Sequence, residues 1–131
     1  MKFTIPVVPR TKKNSQQLVK AGGRYIPIPS KQYKEFEKQC ALFMPRMKKP
    51  IDQPVNVKCV YYMPTRRAVD LVNLIEATND ILVKYGVLAD DNRNVVYAQD
   101  GSRVFWDKER PRTEIEITPI VGEEIERWKT E

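Results

Sequence analysis

The spacing of apolar residues changes several times along this chain, and each change marks an element. Phe3, Ile5 and Val7 alternate with Lys2, Thr4 and Pro6, the two-residue period of a strand over Met1 to Val8 that Pro9 ends. Leu18 to Lys20 and Arg24 to Ile28 flank Ala21-Gly22-Gly23 as a small hairpin. After Pro29 the period lengthens: Ser30 is an N-cap, and Tyr33, Phe36, Cys40, Phe43 and Met47 recur on one face of a helix that Pro45 should kink or end. Lys31, Lys34 and Lys38 fall on its opposite face. Val55, Val57, Cys59 and Tyr61 share a face of a second strand, Val55 to Tyr62. Leu71, Leu74, Ile75, Ile81 and Leu82 form the buried stripe of a helix over Leu71 to Lys84, with Tyr85-Gly86 as its stop. Val95 to Ala98 and Ser102 to Trp106 read as two strands joined in a tight hairpin by Asp100-Gly101. Thr113 to Ile117 is a last strand, and the charged tail from Val121 is a short helix or a frayed end.

A chain of 131 residues fits one domain with a real core. The formal charge of +6 suggests an anionic partner, although modest positive charge also occurs without one. The absence of histidine removes His-based acid–base and nucleophile systems and His-containing zinc sites. Cys40 and Cys59 sit within apolar patterns and read as buried thiols, so a reducing, cytoplasmic location is expected. The amino terminus lacks the apolar run of a signal peptide, and no segment approaches the ~20 apolar residues that span a bilayer.

Chemistry concentrates between Asp70 and Asp91. On the helix, Asp70, Asn73, Glu76 and Asp80 line a stripe beside the apolar one, and Val87-Leu88 leads back into Asp90-Asp91. Carboxylates gathered in a basic chain suggest a Mg²⁺ or Mn²⁺ site, since these ions take hard oxygen ligands and can activate water for phosphodiester hydrolysis. A solvated helix face followed by an acidic turn explains the same spacing equally well. Arg66 and Arg67 stand beside this unit, and Arg10, Lys12 and Lys13 form a basic segment after the first strand. Tyr97, Phe105 and Trp106 are candidates for base stacking, but strand aromatics more often belong to a core.

These residues resemble the RusA-type Holliday junction resolvases, small metal-dependent endonucleases. The resemblance is carried by Asp70, Asn73, Leu74, Asp80, Gly86-Val87-Leu88 and Asp90-Asp91, and extends to Lys12-Lys13-Asn14, Gly22-Gly23-Arg24-Tyr25, the Ser30 to Tyr33 helix start and Arg112 to Ile117. Two positions depart from the family pattern: Val72 stands where it has a second aspartate, and Glu76 where it has a lysine. Glu76 lies on the same stripe as Asn73 and Asp80 with an extra methylene of reach, and is expected to serve as a relocated ligand, with Lys84, Arg66, Arg67 or Arg103 replacing the lost cation.

The resemblance implies a single small α/β (α+β) domain, residues 1–119, with a mixed β-sheet packed against two main helices, and a charged tail at 120–131. It further implies a homodimer that cuts opposed strands of four-way DNA junctions in recombination and repair. Asp70, Glu76 and Asp91 are expected to be catalytic, and Asp70, Glu76, Asp80, Asp90 and Asp91 to hold the metal. Arg10, Lys12, Lys13, Arg66, Arg67, Lys84 and Arg103 are expected to bind DNA. The rivals are a junction-binding protein that has lost cleavage and a structural or regulatory module with no nucleic-acid role.

Overall fold

The computed structural model describes residues 1–12 and 16–130. The fold is α+β, in the order β1 (Lys2–Ile5), β2 (Gln16–Ala21), β3 (Arg24–Pro29), α1 (Lys31–Ala41), β4 (Val55–Met63), α2 (Leu71–Lys84), β5 (Val96–Ala98), β6 (Arg103–Trp106), β7 (Arg112–Pro119) and α3 (Glu123–Thr130). β2 and β3 form a separate two-stranded ribbon, and the other five strands form one mixed sheet. On one side of the central β4, β7 runs antiparallel and carries β1 beyond it. On the other side β5 and β6 both run parallel to β4, one beside Val55–Asn56 and the next beside Val60–Met63.

β5 and β6 therefore do not pair with each other, and the hairpin expected at Asp100-Gly101 is not there. The turn itself exists: the Ser102 amide donates to the Gln99 carbonyl at 3.2 Å, and Gly101, third of the four residues, has φ +88°. A positive φ at that position marks a type II turn, whose twist splays its flanking strands where a hairpin would need a primed turn. The kink leaves a gap on β4, and side chains fill it. Gln99 Nε2 donates to the Val57 carbonyl, and the Cys59 amide donates to Ser102 Oγ at 3.0 Å. Buried backbone groups that lose a ladder partner must find another.

The helices cover the face of β4 that carries Val55, Val57, Cys59 and Tyr61. Tyr33, Phe36 and Cys40 descend from α1, and Leu74, Ala77, Ile81 and Leu82 from α2. Ser30 caps α1, its Oγ accepting from the Tyr33 amide at 3.1 Å. That helix stops at Ala41, before Pro45, through a tightened last turn in which Leu42, Phe43 and Met44 donate to carbonyls three residues back. The residue before a proline resists the helical conformation, so Phe43 and Met47 lie beyond the helix and off its stripe. Leu71 and Ile75 are only half-buried at the margin of the α2 stripe, where Thr78 and Asn79 go under instead. Both cysteines are free and buried, and burial pushes their thiols up to about 12, so neither is reactive near neutrality.

The tail after Ile120 forms a third helix, which buries none of its residues. It is tethered through Trp128, whose Nε1 donates to the Arg93 carbonyl at 3.2 Å while the Arg93 guanidinium lies 6.0 Å from the ring centre.

α2 ends in a Schellman motif: the Val87 amide donates to the Leu82 carbonyl at 2.9 Å and the Gly86 amide to Val83 at 3.2 Å, with Gly86 at φ +77°. A Cβ at Gly86 would meet nothing within 4 Å, so the cost of adding one is conformational alone. Gly86→Ala should lower stability by about 1–2 kcal/mol in urea titrations, and Gly86→Asn by less.

Candidate active site

The last two turns of α2, the middle of α1, Lys12 after β1 and the Asp90-Asp91 loop border an open cleft of about 420 Å³ lined by Lys12, Glu37, Asp80, Val83, Lys84 and Asp91. Two hydrogen-bonded links on the inner side of α2 present Asp80 to it. The Tyr61 hydroxyl lies 2.6 Å from Thr78 Oγ1, which donates its own proton to the Leu74 carbonyl at 2.9 Å. Asn79 Nδ2 donates to Gln99 Oε1 at 2.7 Å. Asp80 is the next residue and turns outward.

Inside the cleft, cations and carboxylates are paired. Lys12 Nζ donates to Asp80 Oδ2 at 2.9 Å, and Lys84 Nζ to Glu37 Oε1 at 3.2 Å. The hydrogen bond to Asp80 raises the pKa of Lys12 against the opposing effect of burial, and the fields of Asp80, Glu37 and Glu76 add to it. The pKa of Asp91 is raised as well, which for an acid disfavours the charged form: burial contributes most, followed by its contact with Asp90 and the fields of Asp80 and Asp90. Asp90 braces its own loop, Oδ1 accepting from the Asp91 amide at 2.7 Å and Oδ2 from Asn92 at 3.1 Å. Fully buried Tyr33 has a hydroxyl without a hydrogen-bond partner among the described residues. Its pKa is raised first by burial, then by Glu37, Asp80 and Glu76.

The residues expected from sequence are thus divided. Asp80 and Asp91 line the same cleft, and Asp90 stands beside Asp91 without lining it. Glu76 is exposed; its field reaches Lys12 and Tyr33, but it does not line the cleft. Asp70 is the N-cap of α2, its Oδ1 accepting from the Val72 amide at 3.0 Å, and ten residues of helix, about 15 Å, separate it from Asp80. Among the described residues, no three His, Cys, Asp or Glu side chains stand close enough to hold one metal ion. Val72 is 69% exposed. Of the four cations proposed to replace the family lysine, Lys84 lines the cleft and Arg66, Arg67 and Arg103 do not. Arg10, Arg66, Arg67 and Arg103 are exposed and make no ion pair among the described residues, and Lys13 lies outside those residues.

Glu37 was not anticipated. It is only 8% exposed, and its position between Phe36 and Cys40, four residues after Tyr33, places it on the buried stripe of α1. A carboxylate within an apolar helical stripe was the available signal. The carboxylate oxygens of Asp80, Asp90 and Asp91 are the hard donors that Mg²⁺ takes, and the pKa of Asp91 is raised first by burial and only then by the neighbouring carboxyl groups, a cost to its charged form that a bound cation would offset. An ion at Asp80 would have to displace the Lys12 ammonium.

Compared with known proteins, residues 6–118 match the family model for endodeoxyribonuclease RusA. The chain belongs to that family of endodeoxyribonucleases, whose substrate is Holliday junction DNA. A search of curated proteins returned no match. Among the described residues, no helix is long and apolar enough to cross a membrane.

Because the folded state raises the pKa of Asp91, it holds that proton more tightly than the unfolded chain, and stability falls as pH rises from the unfolded value through the folded one. Asp91→Asn should therefore raise the melting temperature in EDTA at about pH 7 and leave it unchanged at about pH 3, and it should abolish any further rise on adding Mg²⁺. Melting curves with and without the ion test this.

Proposed function

We propose that this chain is a Mg²⁺-dependent endodeoxyribonuclease that cuts branched DNA of the four-way junction type, acting as a cytoplasmic homodimer in recombination and repair. The match of residues 6–118 to the RusA family carries this reading. Paired incisions on opposed strands call for two sites in a fixed two-fold relation, which a dimer provides.

Asp80 and Asp91, with Asp90 behind them, are the residues that would hold the ion, and Mn²⁺ suits the same oxygens. When bound, the ion would lower the pKa of water and offset charge on the phosphate. Asp91, with its raised pKa, accepts a proton more readily than an ordinary aspartate. Lys12 and Lys84 place positive charge at the cleft wall, where a phosphate can be held once they exchange their carboxylate partners for it. Asp70 and Glu76 remain proposed contributors along the same helix.

A second reading, a junction-binding protein that no longer cuts, is favoured by the exposed Val72 at the family's aspartate position and by Lys12 on Asp80. Incubation of a synthetic four-way junction with Mg²⁺, Mn²⁺ or EDTA separates the two. Cleavage with either ion and none in EDTA supports the enzyme; tight binding without cleavage under all three conditions supports the second reading.

If the enzyme cuts, Asp91→Asn and Asp70→Asn should each reduce the single-turnover rate by about 100-fold or more with junction binding retained. Glu76→Gln should match them if that carboxylate has been relocated along the helix, and parental cutting by Glu76→Gln removes it from the site.

Salt dependence tests the phosphate contacts. Arg10→Ala and Arg67→Ala should each flatten the slope of log affinity against log salt by roughly 0.7–0.9 for four-way junction DNA. Unchanged slopes in both exclude these arginines from the interface.

A further inference from the structure

A second surface lies where β4 runs out into the Pro64–Arg67 connection. We propose that it is a groove for unpaired nucleotides, in which Trp106 stacks a base and Arg66, Arg67 and Arg10 hold the adjoining phosphates. The proposal rests on the branched-DNA reading and locates the unpaired part of such a substrate.

Phe105 and Trp106 pair with Tyr62 and Met63 of β4, a position that usually turns large aromatics into core. Here they are 47% and 49% exposed. They are nevertheless fixed. Trp106 Nε1 donates to the Pro64 carbonyl at 3.3 Å, and the Arg66 guanidinium lies 4.5 Å from the Trp106 ring centre. Phe105 lies 5.5 Å from Tyr62, and Tyr62 is covered by Arg112 at 3.7 Å, itself anchored by Asp107 at 3.0 Å. An exposed ring with its position already set gives up little entropy on stacking.

Two clefts meet beside this plate. One, of about 420 Å³, is lined by Arg66, Arg67, Phe105 and Trp106, and another, of about 230 Å³, by Arg10 and Thr11. They share Met63, Thr65, Arg67 and Val69 and so adjoin, and together they are the proposed trough. Neither is lined by a carboxylate, and its three arginines make no ion pair among the described residues, whereas Lys12 and Lys84 of the acidic cleft are both paired.

A trough with a flat aromatic at one end and uncompensated guanidiniums along it fits a ligand that is planar and anionic in alternation, which is a single nucleic-acid strand. Bases in duplex DNA are stacked on each other and do not offer a face to Trp106. A protein partner would need acidic groups to match the arginines.

The chain has two tryptophans, and Trp128 lines neither cleft, so Trp128→Phe leaves Trp106 as the sole indole. In EDTA, titration with oligothymidylate should quench its fluorescence, and a blunt-ended duplex of equal phosphate number should not. In the full chain, Trp106→Ala should weaken oligothymidylate binding about 5- to 150-fold by anisotropy and leave blunt-duplex binding unchanged, with Trp106→Phe restoring most of the loss. No quenching, or equal weakening on both DNAs, overturns the groove. So does a Trp106→Ala variant that changes oligomeric state and keeps its single-strand affinity, which would make the surface a protein contact. None of these measurements requires cleavage, so a protein that binds without cutting still supports the groove. Intact Mg²⁺-dependent cutting without stacking refutes the groove alone.

Discussion

The rotation of α2 about its own axis is the constraint on which the acidic cleft depends. Apolar burial is non-directional, so Leu74, Ile81 and Leu82 alone would let the helix roll over β4 at little cost. Two hydrogen-bonded links prevent that. Thr78 gives its only hydroxyl proton to Leu74, so the Tyr61 hydroxyl must be the donor between them, and burial raises the Tyr61 pKa well above its ordinary value and keeps that proton in place. Asn79 reaches Gln99, which continues to the Val57 carbonyl. The same Gln99 fills the break between β5 and β6, so the irregular sheet edge and the helix orientation are one device.

Much of this was legible in the sequence because it depends on local chemistry. α2 has its expected bounds, Leu71–Lys84, since Asp70 caps one end and Gly86 releases the other. The Gly22-Gly23 hairpin and the Ser30 cap are equally local. The β5–β6 arrangement was not readable, because Asp100-Gly101 signals a positive φ without saying which turn it serves, and the answer depends on the parallel edge of β4 that both strands join. The site divides in the same way. The proximity of Asp80 to Asp91 follows from a helix and its return loop. Glu37 enters from another helix, and Asp70, expected as a ligand, is engaged as the cap of α2.

Positive charge is apportioned by residue type. Lysines serve the acidic cleft, where each ammonium meets one carboxylate as a compact charge. Arginines serve the trough, where a planar guanidinium can lie against an aromatic ring and still offer donors at its edge, as Arg66 does over Trp106. The net charge of +6 therefore understates how unevenly attraction for phosphate is distributed.

The broken edge beside β4 also governs self-association. A long flat outer strand invites another chain to add to it, but β5 and β6 offer three and four residues interrupted by a kink. At the far edge, β1 is four residues long, bears Lys2 and stops before Pro6. Both margins of the main sheet are thereby poor templates for strand addition. The six-residue strands of the β2–β3 ribbon, pairing only with each other, are the longer open edges of this fold, and strand exchange between copies has its easiest starting point there.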